Sequence, residues 1–160
     1  MSKILGIDPG YDRVGICILE KVSVNENKII FSECFETNKK KEINERIFEI
    51  CENLEKIILK YYPSELAIEK LFFTNNQKTV MGVSEARGAI IYLSQKMNLK
   101  ISEYTPLQIK IALTGYGKAT KDQIYFMLKK VLKIKTENRK NLDDEYDAIA
   151  VAYTHSVSQK

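Results

Sequence analysis

Cysteine, histidine and proline are scarce in this chain, with three, one and three residues among 160. Cys17, Cys34 and Cys51 form no C-x-x-C pair, and an odd count argues against a disulfide framework. Each reads as a small core hydrophobe. No apolar run approaches the roughly 18 residues of a membrane span. The opening Met1-Ser2-Lys3-Ile4-Leu5 lacks the form of a signal peptide. There is no Pro/Gly-rich linker, internal repeat or low-complexity segment, so one cytoplasmic domain over residues 1–160 is expected. Nucleotide-binding signatures are missing too. Gly6 and Gly10 do not make G-x-G-x-x-G, a strand is expected after Gly10 where a dinucleotide fold needs a helix, and no Walker A sequence occurs.

The residues that are present are more informative in their distribution than in their totals. A hydrophobic content of 44% supports a packed core, and 25 basic against 21 acidic residues leave a net charge of +4. Residues 107–140 hold nine Lys/Arg against only Asp122 and Glu137, a local net of +7 that leaves −3 for the rest. Such a segment suits a polyanion or, more plainly, forms a solvated helix face.

Hydrophobic patterning predicts strands at 3–8, 14–19 and 28–35, with a turn at Asn25-Glu26-Asn27. Ile43, Ile47, Ile50, Leu54, Ile57 and Tyr61 then make one buried helical stripe that Pro63 ends. A short strand at 65–69 and an aromatic loop at 71–76 follow, then a helix at 77–96 and a strand at 100–104. Helices after Pro106, at 120–132 and at 142–157 complete the order βββ-α-β-α-β-α-α-α. The expected fold class is α/β, with a five-stranded mixed sheet flanked by helices.

Two strands end in acids. Ile4-Leu5-Gly6-Ile7-Asp8 and Ala67-Ile68-Glu69 each place a carboxylate after buried residues. Asp8 alone could serve as a turn residue, but two acids in apolar settings need pairing or a metal. Asp144 and Asp147 lie three apart, so they share a helix face ahead of Ala148-Ile149-Ala150-Val151-Ala152, whose small residues suit packing on a sheet. An acidic first turn that complements the helix dipole explains Asp143 and Glu145 well and Asp147 less well. If these elements converge, four carboxylates without Cys or His form a hard-oxygen set selective for Mg²⁺ or Mn²⁺. Two such ions could clamp both oxygens of a phosphodiester displacement.

Taken in order, Gly6-Ile7-Asp8-Pro9-Gly10, Ala67-Ile68-Glu69, Glu85-Ala86-Arg87-Gly88, Glu103-Tyr104, Gln108-Ile109-Lys110, residues 115–121 and residues 144–150 resemble the RuvC family of bacterial Holliday junction resolvases. The resemblance runs from Ile4 to about His155. It implies a ribonuclease H-like fold and a homodimer on four-way junction DNA, cutting two strands of like polarity with two Mg²⁺ or Mn²⁺ ions per site. The branch-migration proteins RuvA and RuvB are the implied partners. By the same resemblance, Asp8, Glu69, Asp144 and Asp147 are the catalytic metal ligands. Lys110 and Lys121 lie near the scissile phosphate, with Lys118 in the same loop, and Phe72 stacks on a junction base.

Phe73 is the second loop aromatic, and of Phe72 and Phe73 one ring is expected on DNA and one in the core. Arg87 is a further candidate DNA contact, or else an ion-pair partner of an acid. The stripe Val83, Ala86, Ile90, Leu93 and Met97, with Val80 and Ile91 beside it, is wider than one seam. One side of it is expected against the sheet and another against a second subunit, with burial against the aromatic loop as an equal alternative. Three features depart from the family pattern or stay open. Tyr11-Asp12 adds an acid near the site, Asp143 offers an alternative i, i+4 register with Asp147, and His155 reads as a cap or surface residue, with metal ligation as its alternative. Competing functions are an RNA-directed nuclease of the same fold, acting on ribosomal RNA precursors, and a non-catalytic junction-binding protein. An actin-like ATPase would need two such domains.

Overall fold

The structure, a computed structural model, describes residues 2–24, 26–71, 77–134 and 142–158. Three strands, β1 (Ser2–Asp8), β2 (Arg13–Lys21) and β3 (Asn27–Glu36), form an antiparallel meander. The turn between β2 and β3 closes through Glu26, whose carbonyl accepts from Val22 and Ser23 N–H groups; Asn25 of the expected turn lies outside the described residues. Helix α1 (Ile43–Tyr61) leads to β4 (Glu65–Glu69), and α2 (Gln77–Lys96) leads to β5 (Lys100–Tyr104). The chain ends in α3 (Pro106–Thr114), α4 (Lys121–Val131) and α5 (Leu142–Ser158). Strand order is β3-β2-β1-β4-β5, with β1, β4 and β5 parallel. This is the ribonuclease H-like arrangement that the resemblance implies.

Alternation along the strands divides the core between two faces. Leu5, Ile7, Val14, Ile16 and Ile18 face α1 and α2, whereas Ile4, Cys17 and Leu19 face α3, α4 and α5. Helix boundaries follow local chemistry. Thr105 and Thr120 each cap a helix in a reciprocal box with Gln108 and Gln123. Tyr62, at φ 52°, closes α1 just before Pro63. The α1 stripe holds from Ile47 to Tyr61 and departs from expectation only at its start. Ile43 is 37% exposed, and Arg46 is buried beside Ile50, Leu54, Ile57 and Ile58. Arg46 can be buried because its guanidinium donates to Thr37 Oγ1 (2.9 Å), pairs with Asp12 and lies over the Tyr11 ring.

The feature that governs the site is how closely α5 lies on the sheet. A Cβ added to Gly6 would stand 2.4 Å from the Ala148 carbonyl and 2.6 Å from Ala152 Cβ. One added to Gly15 would stand 1.9 Å from the Asp144 carbonyl. Gly6→Ala and Gly15→Ala should therefore each lose about 1–3 kcal/mol by overpacking. Gly88→Ala, whose added Cβ meets nothing within 4 Å, should gain up to about 1 kcal/mol of helix propensity. Denaturant unfolding of the three variants checks this contrast.

Candidate active site

β1 ends at Asp8, immediately before the Pro9-Gly10 turn, and its parallel neighbour β4 ends at Glu69. Asp144 and Asp147 sit in the first turns of α5, which Gly15 admits against β2. The four acids thus come from three elements to one end of the sheet. Burial, followed by the charges of Asp147, Glu69 and Asp144, pushes the Asp8 carboxyl up to about 8, against an opposing pull from Lys121. Burial and then the Asp147 charge raise Glu69 in the same way. Asp147 is also raised, by burial first, although Lys121 and Tyr125 offset part of the effect.

Cationic and hydrogen-bonding partners occupy the two α5 acids. Arg13 Nε lies 3.0 Å from Asp144 Oδ2, and the Cys34 thiol donates to the same oxygen at 3.6 Å. Lys121 Nζ lies 3.0 Å from Asp147 Oδ2, and the Tyr125 hydroxyl donates to Asp147 Oδ1 at 3.1 Å. Among the described residues, no three Asp, Glu, His or Cys side chains are grouped as they would be around an ion. The all-oxygen donor set and its excess negative charge nevertheless suit a hard divalent cation. Glu69, Lys110, Lys121 and Asp147 line a cleft of about 250 Å³ together with Pro106 and Ile109. Glu69 and Pro106 also wall an adjoining cleft that contains Asp8 and Pro9.

Other residues singled out in the sequence fall elsewhere. Lys118 is exposed and absent from the cleft lining. Arg87 turns inward, donating to the Glu69 carbonyl at 3.1 Å and pairing with Glu103, so it holds the end of β4. Asp12 is drawn to Arg46, and Asp143 is largely exposed at 3.7 Å from Lys121. Phe72 and Phe73 lie outside the described residues.

Two readings are corrected. His155 is neither a cap nor a surface residue: it is fully buried, hydrogen-bonded through Nδ1 to the Tyr104 hydroxyl (2.8 Å) and through Nε2 to Glu65 (2.9 Å). Small side chains along α5 bring its ring down onto the sheet. Cys17 is a core hydrophobe and the half-buried Cys51 packs against the core, but the half-buried Cys34 touches Asp144. Sequence reasoning passed over Arg13, Cys34 and Tyr125. Tyr125 had a signal, since it falls one turn after Lys121 on the same helix face. Cys34 had none, because only the pairing Gly15↔Cys34 brings it beside α5.

Comparison with known proteins gives one consistent result. A family model described as crossover junction endodeoxyribonuclease RuvC matches residues 4–155. The RuvC of Petrotoga mobilis is 46% identical over 152 residues, covering 95% of this chain and 91% of that protein. The RuvC of Thermotoga petrophila is 39% identical over 158 residues, covering 99% and 94%. The solved structure of T. thermophilus RuvC in complex with Holliday junction substrate superposes with a TM-score of 0.90 at 25% identity, covering 99% of this chain and 94% of that one.

The Asp8 carboxyl is held above its ordinary value of 3.8, so ionising it costs folding free energy. Its destabilising contribution is absent near pH 4 and grows as pH rises towards about 8. In EDTA at pH 8, Asp8→Asn should therefore be more stable than the unaltered protein by on the order of 2–5 kcal/mol, and Mg²⁺ should narrow the gap. Thermal melts at pH 4 and pH 8, with and without Mg²⁺, check both the sign and the pH window.

Proposed function

The chain belongs to the RuvC family of crossover junction endodeoxyribonucleases, and we propose that this Holliday junction-resolving endonuclease cuts with Asp8, Glu69, Asp144 and Asp147. The observation that carries the residue assignment is the meeting of four acids from β1, β4 and α5 beside a cleft walled by Lys110 and Lys121. A scissile phosphate fits there only if its charge and that of the acids are both balanced.

Nucleases of this family are metal-dependent, and the oxygen-only donor set favours two Mg²⁺ or Mn²⁺ ions held by the four acids. When bound, they would supply hydroxide from water at neutral pH and stabilise the departing oxygen. The protein's own side chains perform the remaining tasks. Asp8 and Glu69, rooted in adjacent strands, set the floor of the site. Lys121 neutralises Asp147 at rest and is long enough to turn to the phosphate, and Lys110 reaches the same cleft from α3. Arg87 keeps Glu69 in place through the backbone.

Two cuts in strands of like polarity call for two sites related by symmetry, hence a homodimer. The outward face of α2 supports this reading, because Met81 and Tyr92 are 63% and 70% exposed there. The buried stripe of Ala86, Ile90 and Leu93 covers the sheet on the other side. RuvA and RuvB remain the partners expected by family. A cytoplasmic location is the one expected of an enzyme that acts on bacterial DNA. No described helix is long and apolar enough to cross a membrane.

Asp8→Asn and Glu69→Gln should each bind synthetic four-way junctions normally yet give no detectable nicking in Mg²⁺. Wild-type cleavage by either variant would remove that acid from the site. Changing Lys110 and Lys121 together to Ala should lower the slope of log affinity against log salt by about 2, close to one per lost phosphate contact. Electrophoretic binding and cleavage assays from 50 to about 200 mM salt measure both effects.

A further inference from the structure

We propose that Tyr125 is a positioning residue that holds the Asp147 carboxylate in the orientation needed to receive a divalent cation. The proposal rests on Asp147 being a metal ligand, as argued above. Both oxygens of Asp147 are engaged from α4: Oδ2 by Lys121 Nζ at 3.0 Å and Oδ1 by the Tyr125 hydroxyl at 3.1 Å. These two partners differ in how firmly they are held. Lys121 is half-exposed on a flexible stem, and its ammonium is the group that a phosphate would draw away. Tyr125 is anchored at two points. Its ring stacks on Tyr146 of α5, with centroids 4.9 Å apart and an interplanar angle of 29°. Its hydroxyl lies 3.1 Å from the Asp143 carbonyl in the first turn of that helix as well as from Asp147 Oδ1, and its single proton is shared between these two acceptors.

When Lys121 leaves Asp147, the Tyr125 hydrogen bond remains on Oδ1 and leaves Oδ2 open. Asp147 then cannot swing freely, and the free oxygen keeps its aim into the cleft shared with Glu69. Groups that orient a ligating carboxylate in this way typically change metal affinity or activity by about 10–100-fold when removed. Lys121 and Tyr125 are one turn apart, and the Lys121 ammonium sits 5.5 Å from the Tyr125 ring centre. The same tyrosine therefore guides both the acid and the cation that competes for it.

The test is Mn²⁺ uptake by the full-length protein without DNA, read by electron paramagnetic resonance of the free ion, for wild type and Tyr125→Phe. The phenylalanine keeps the ring and its stacking and removes only the hydroxyl. Expected is a Mn²⁺ affinity weaker by about 10-fold, with the melting temperature in EDTA lowered by a few degrees at most and metal-free junction binding unchanged. The Mg²⁺ concentration for half-maximal cleavage should rise by a similar factor, while the rate at saturating Mg²⁺ changes little. Equal Mn²⁺ affinity in the two proteins would overturn the proposal. So would a lower saturating rate at unchanged half-saturation, which would make the tyrosine a participant in the reaction step. If the wild type itself took up no Mn²⁺, the metal-site reading would fall and this inference with it, an outcome distinct from equal binding by both.

Discussion

The close seating of α5 on β1 and β2 is the constraint on which the rest of this structure depends. Gly6 and Gly15 remove the side chains that would otherwise hold the helix off the sheet, and Ala148 and Ala152 answer them from the helix side. A helix kept away by ordinary side chains would lie farther from the sheet, because an added Cβ at either glycine would already overlap it. Asp144 and Asp147 would then stand apart from Asp8. The two glycines therefore help to set where the α5 acids lie, although they carry no functional group.

Close seating creates an electrostatic problem that the fold solves by supplying cations from other elements. Asp8 sits deep among three other acids, and burial and repulsion together push its carboxyl far above the usual range. Arg13 from β2 and Lys121 from α4 engage the two α5 acids, while Asp8 and Glu69 at the strand ends receive less relief. The result is a site whose charge is only partly balanced from within, a surplus that suits the divalent cations proposed for it. The same Lys121 that offsets Asp147 also lines the cleft, so under the proposed function the balancing and phosphate-binding roles would fall on one side chain.

Helix α2 secures the strand ends from the opposite face. Tyr11, in the turn after Asp8, presses on Gly82, and Arg87 binds the carbonyl of Glu69. Through Arg46, α1 also grips Asp12 in that same turn. Three of the sequence's candidate functional residues, Arg87, Asp12 and His155, thus serve to hold the scaffold. Each was legible as unusual, but its partner was not. Glu103, Arg46 and Glu65 lie 16, 34 and 90 residues away in sequence.

The amino-acid sequence alone determined the element order, the ends of β4, α2 and β5 and the placing of acids at the ends of β1 and β4 and in the first turns of α5. All of these are expressed in local periods and short motifs: two for strands and 3.6 for helices. Tertiary structure alone decided which way Arg87 points, that His155 is buried, that Cys34 meets Asp144 and that Tyr125 holds Asp147. Strand register and helix seating set those contacts. A one-residue slip in register would turn Cys34 to the other face of the sheet, and one added methyl at Gly15 would displace α5, without altering any local pattern by which the elements are recognised.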